Sequence, residues 1–150
     1  MNKILKQVIS ILLAIAILIP SGLFAPVTEA ASSEIPVLLY HRIVDTATNE
    51  WTDTSVDKFK STMKYLYDNG YNTLTADQYV NIKAGVEAAP AKPILLTFDD
   101  GTPDFVTKAL PVLDQYDMNA VAFIVTGWIG AGYSMSHAQL QDLATNHPEY

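Results

Sequence analysis

Asp99 and Asp100, followed by Gly101 at the end of the apolar run Ile94–Phe98, are the residues of this 150-residue chain best suited to chemistry. Neighbouring carboxylates raise one another's pKa and invite either a proton or a cation between them. A metal ion is the simplest occupant. The continuous apolar run before them reads as a parallel strand buried on both faces. The two carboxylates then lie at a strand's carboxyl end, where barrels and open sheets assemble their active sites. Adjacent side chains on a regular strand point to opposite faces, so Gly101 has to help the chain bend if both are to reach one site. With no cysteine in the sequence, metal ligands can only be His, Asp or Glu. His41 follows a second apolar run, Pro36–Tyr40. An imidazole can both give and take a proton, so this residue suits a general acid, or else hydrogen-bonds a loop carbonyl. His137 and His147 lack ligand-like spacing and read as a helix-start and a post-helix residue.

These groups need a frame. Pro36–Tyr40 predicts a first buried strand, and residues 45–54 a loop. From Ser55, the apolar positions Phe59, Met63 and Leu66 fall at helical spacing as far as Asn69, with Gly70 as the left-handed stop. Tyr71–Leu74 fits a short strand, and Thr75 with Gln78 forms a capping box that opens a second helix. Residues 83–92 have no period and read as loop. After the Ile94–Phe98 strand, Thr102 is a candidate cap with Pro103 at the first helical position, for a helix running to Tyr116. Pro111 inside that helix predicts a kink or break near Leu110. Val121–Val125 predicts a third buried strand, and Ser136 caps a helix over His137–Thr145. Strands alternating with helices imply a parallel sheet with right-handed crossovers.

The first 30 residues have the build of an export signal: Lys3 and Lys6, a largely apolar stretch over Val8–Ile19, then Pro20, Ser21, Gly22 and small residues up to Ala30. Twelve residues fall short of the ~18 or more that a spanning helix needs, so cleavage after Ala30 is expected, with no stable membrane span afterwards. Removing Lys3, Lys6 and Glu29 takes the net charge from −7 to −8. That balance argues against a nucleic-acid partner, whose phosphates demand a basic footprint. The 120 residues left after the signal are about half of what a complete eight-unit barrel uses.

The stretches Thr97–Gly101 (TFDDG), Ala109–Ile129 and Pro36–Ile43 (PVLLYHRI) resemble the polysaccharide deacetylases that share the NodB homology domain, carbohydrate esterase family 4. The resemblance runs over residues 35–145 and is nearest to deacetylases of poly-N-acetylglucosamine. It implies an α/β fold, a distorted (β/α) barrel present here as its amino-terminal part. It also implies a divalent metal, zinc above all, and hydrolysis of N-acetyl groups on N-acetylglucosamine units of an extracellular or cell-wall polysaccharide, as in a biofilm matrix. By the same resemblance Asp99 is the catalytic base, Asp100 a metal ligand and His41 a general acid beside them, while Tyr40 shares the YH pair of that site. Trp128 and Trp51 are candidates for stacking on sugar faces. One departure is plain. The family completes its metal site with an H-[ST]-x-x-H motif, which residues 102–150 lack; the expectation is a fragment that stops before this motif, binds metal weakly through Asp100 and His41, is inactive alone and is unstable at its open strand edges.

Two rival readings fit parts of the same pattern. A haloacid-dehalogenase-type phosphatase ends its strand in D-x-D-G-T, but here the aspartates are adjacent, which turns one to the other face. A non-catalytic carbohydrate-binding protein retaining the fold is the other, because fold does not imply function.

Overall fold

A computed structural model describes residues 34–48, 51–148 and 150; the expected export signal over residues 1–30 lies outside them. The strand Pro93–Phe98 (β5) organises everything else. Its backbone groups alternate between two edges. Leu95 N–H donates to the Pro36 carbonyl (2.9 Å) and Asp99 N–H to the Tyr40 carbonyl (2.9 Å), which builds one edge against β1 (Val37–Tyr40). On the other edge the Ile94 carbonyl accepts from Leu74 N–H (3.0 Å) and the Phe98 carbonyl from Phe123 N–H (2.8 Å). That edge therefore carries two short strands end to end, β4 (Asn72–Thr73) and β6 (Val121–Ala122). Every pairing is parallel, as the alternation of strands and helices requires. A separate parallel pair joins β2 (Arg42–Val44) to β3 (Asp53–Ser55).

Helices form where local signals place them. Ser55 caps α1 (Val56–Asp68), accepting from Lys58 N–H, and Gly70 at φ 68° closes it. Thr75 and Ser136 make complete capping boxes with Gln78 and Gln139, opening α2 (Ala76–Lys83) and α4 (His137–Asn146). Pro111 marks a break, as expected: a π-helical turn over Phe105–Ala109 gives way at Leu110 to α3 (Leu110–Gln115).

Period two decides the packing. The even-numbered residues Ile94, Leu96 and Phe98, with Tyr40 of β1, face α1 and the π-helical turn and pack against Phe59, Met63, Leu66, Phe105 and Leu113. Tyr40 stacks on Phe98 (5.2 Å) and meets Phe59 edge-on (5.2 Å). On the odd face, Leu95 is buried with Ile35 and Leu74, whereas Val37, Leu39 and Phe123 stand open to solvent.

Four expectations are corrected here. Val121–Val125 is not a five-residue buried strand: only Val121–Ala122 pair, and Phe123 is exposed. β1 is covered on its helix-facing side alone, because no described element lies over Val37 and Leu39. The end of the expected 45–54 loop is a strand, held because Asp53 accepts from the Thr48 hydroxyl (2.8 Å) and faces Arg42 Nη1 at 3.4 Å. Thr102 does not cap a helix with its side chain; its hydroxyl donates to the His41 carbonyl (3.2 Å).

Candidate active site

Asp99 stays in the ladder of β5, since its N–H still bonds to Tyr40, and its side chain falls on the odd face above Thr97. Asp100 and Gly101 then both take left-handed backbone, at φ 70° and 64°. A left-handed residue with a Cβ costs about 1–2 kcal/mol, and aspartate tolerates it better than most. Two such residues in succession turn the chain sharply. The bend expected of Gly101 is thus shared with Asp100, and both carboxylates line one open cleft of about 570 Å³ with Thr97, Leu39, Phe123 and Val125.

Asp100 also borders a second cleft of about 460 Å³ on its other side, lined by Arg42, Thr102, Pro103, Asp104, Trp128 and Tyr133. The loop bearing the two aromatics is tied to the carboxylate turn itself. The Gly101 carbonyl accepts from Met135 N–H (2.8 Å) and from the Ser134 hydroxyl (3.2 Å). Ser134 and Met135 are buried beneath the loop, and Gly130 N–H closes it onto the Met135 carbonyl (3.0 Å).

The turn is anchored to the first strand as well. Asp104 Oδ2 accepts a hydrogen bond from Ile43 N–H, and with the Thr102 hydroxyl on the His41 carbonyl this clamps the β1–β2 junction to the segment after β5. His41 therefore sits at the same sheet end as Asp99. Its ring packs edge-on against Trp51 at 5.0 Å and lines neither cleft. Nearby, the hydrogen bond from Thr48, aided by the Arg42 guanidinium and opposed by desolvation, lowers the Asp53 pKa below its ordinary 3.8.

Other candidates go elsewhere. Tyr40 lines neither cleft: it lies on an even position of β1, so its ring is in the core, and burial raises its pKa to about 12. His147 ends α4 beside Asp114 (Nδ1 to Oδ1, 3.8 Å), and His137 begins that helix beside Gly130; neither shares a cleft with Asp99. Trp51 is exposed against His41, whereas Trp128 does border Asp100. Sequence reasoning passed over Thr97, Asp104 and Tyr133. Thr97 was legible as the odd-face neighbour of Asp99, two residues earlier; Asp104 and Tyr133 had no local signal.

Carboxylate oxygens suit a hard or borderline divalent cation. Among the described residues, however, no group of three or more His, Asp or Glu lies close enough to hold a metal ion. Asp99 and Asp100 are at most part of a ligand set.

Residues 87–147 match the Polysaccharide deacetylase family. Over that stretch the chain is similar to polysaccharide deacetylases. Among polysaccharide deacetylases and their kin, it is 32% identical over 112 residues to YxkH of Bacillus subtilis, named as a polysaccharide deacetylase; the alignment covers 75% of this chain and 39% of YxkH. It is 27% identical over 139 residues to the poly-beta-1,6-N-acetyl-D-glucosamine N-deacetylase of Escherichia coli K12, covering 85% of this chain and 21% of that enzyme. The structure of the Streptococcus pyogenes deacetylase PplD in complex with acetate superposes with a TM-score of 0.67 at 28% identity, over 73% of this chain and 51% of that one. The α/β fold with parallel strands is thus that of the deacetylases. The chain spans 39% and 21% of the two curated relatives it matches, and about half of PplD.

Proposed function

We propose that this chain carries the base-bearing part of an exported, metal-dependent N-deacetylase acting on N-acetylglucosamine polysaccharide. The observation that carries the reading is that Asp99 and Asp100, turned by two consecutive left-handed residues, open onto one cleft at the carboxyl end of β5. Asp99 extends from a paired strand, which holds its carboxylate still enough to accept a proton from an attacking water. Asp100 is the ligand-bearing neighbour, and no other described residues complete a ligand set with it. Asp100 would hold a divalent ion, whose chemistry there would be to polarise an acyl oxygen and acidify water. His41, at the same sheet end, serves as the acid that protonates the departing amine once its ring leaves Trp51. The substrate class draws support from the named activity of the Escherichia coli relative, and export from residues 1–30.

The test is acetate release from an N-acetylglucosamine oligomer by the protein expressed to its natural stop, with and without a chelator, beside Asp99→Asn. Chelator-sensitive release that falls at least about a hundredfold in the variant is the expected result. A ligand set left incomplete among the described residues favours one second reading, a carbohydrate-binding protein that keeps the fold. Folded protein that binds the oligomer and releases no acetate selects that reading instead.

A further inference from the structure

The cleft on the far side of Asp100 has a built wall. Trp128 and Tyr133 are 40% and 63% exposed, so each offers ring surface to solvent, and they meet edge to face at 5.6 Å. Their loop does not hang free: four backbone bonds within it fold it back on itself, and the Gly101 carbonyl takes both Ser134 and Met135. The rings therefore keep a fixed place relative to Asp100. Arg42 and Asp104 line the same cleft. One Arg42 nitrogen reaches Asp53 at 3.4 Å, and a guanidinium has five N–H donors to share. An aromatic face beside a charged donor and a carboxylate acceptor matches the surface of a pyranose ring, which presents axial C–H groups on one face and hydroxyl or amide groups around its rim.

We infer that Trp128 and Tyr133 form the subsite for the sugar unit adjoining the one that loses its acetyl group, with Arg42 bonding that unit's polar rim. This rests on the deacetylase reading for its location but names a separate contact. The Trp128–Tyr133 wall reads chain length: it grips a second sugar and is idle with a monosaccharide.

The experiment uses the protein expressed to its natural stop, N-acetylglucosamine oligomers of one to five units, and the variants Trp128→Ala, Tyr133→Ala and Trp128→Phe. Acetate release gives KM and kcat; calorimetric titration with the tetramer gives binding independent of turnover; far-UV circular dichroism checks folding. The expected result is a KM for the longer oligomers raised roughly three- to tenfold in each alanine variant, with kcat nearly unchanged, the monosaccharide unaffected, and Trp128→Phe largely restored. Folded alanine variants whose KM and tetramer affinity match the wild type overturn the subsite, even with acetate release intact. Tetramer binding that weakens in the alanine variants while no variant or wild type releases acetate sustains the subsite and refutes the deacetylase reading alone. No tetramer binding by the wild type overturns it.

Discussion

Replacing Gly101 by alanine tests whether the carboxylate turn is as tightly built as its geometry implies. Two costs add. At φ 64° the new Cβ requires the left-handed conformation that L-residues resist by about 1–2 kcal/mol, partly offset by the lower entropy of the unfolded alanine chain. It would also stand 3.0 Å from Ile124 Cδ1, with Cγ2 at 3.4 Å and Cα at 3.5 Å behind it. The terminal methyl has to give way, at roughly 0.5–1.5 kcal/mol for leaving its rotamer, whereas Cγ2 and Cα stand at ordinary contact distance. The expected total is about 2 kcal/mol. Gly70→Ala is the internal reference, because Gly70 has nearly the same backbone, φ 68°, with nothing within 4 Å of its Cβ position; it should lose only about 1 kcal/mol. Urea unfolding of the two variants and the wild type measures both, and thermal melting should show Gly101→Ala lower by roughly 6–10 °C. Only Gly101→Ala should also reduce acetate release, since it alone displaces Asp100. Equal losses in the two variants would refute the claim that Ile124 packs against the turn, and an unchanged acetate yield would refute the claim that this glycine sets the carboxylates.

Asp104→Ala leaves the N–H of fully buried Ile43 without its acceptor, which should cost about 1–3 kcal/mol in urea unfolding. Asp104→Asn keeps an acceptor oxygen and should lose clearly less; equal losses would mean that the bond to Ile43 does not clamp the β1–β2 junction. Tyr40 titrates at about 12 in the folded chain against an ordinary 10.0. Between those values the unfolded chain gives up a proton that the folded chain retains, so the stability tied to this group is complete below pH 10.0 and drains away as pH rises toward 12. Tyr40→Phe, which keeps the ring against Phe98, should therefore flatten the alkaline fall in stability by on the order of 2–3 kcal/mol, and an unchanged alkaline limb would place the hydroxyl in water.

The open odd face of the sheet explains why one part of the pattern misled. Val37, Leu39 and Phe123 are residue types that gain roughly 1.5–3 kcal/mol each on full burial, and a run such as VAFIV reads from sequence as a strand enclosed on both sides. Only Val121 and Ala122 pair in register with β5, and Phe123 adds one last N–H bond to the Phe98 carbonyl, because Phe98 is the last residue of that strand and the chain turns at Asp100. The apolar pattern was legible; its cover was not.

What the sequence alone determined are the features whose causes lie within a few residues of one another. The capping boxes of Thr75 and Ser136, the left-handed stop at Gly70, the break at Pro111 and the strand Pro93–Phe98 with its paired aspartates all rest on local hydrogen bonds or on side-chain period, and each stands where the residues put it. Only the tertiary structure decided which distant groups complete the turn. The Thr102 hydroxyl goes to the His41 carbonyl and the Asp104 carboxylate to Ile43 N–H, each 61 positions away, while the Gly101 carbonyl is met by Ser134 from 33 positions on. The same register turned Tyr40 into the core and left Trp128 and Tyr133 beside Asp100. A hydroxyl such as that of Thr102 can cap its own helix or bond a neighbouring strand at similar energy, and the choice between them is made by which backbone the fold brings within reach.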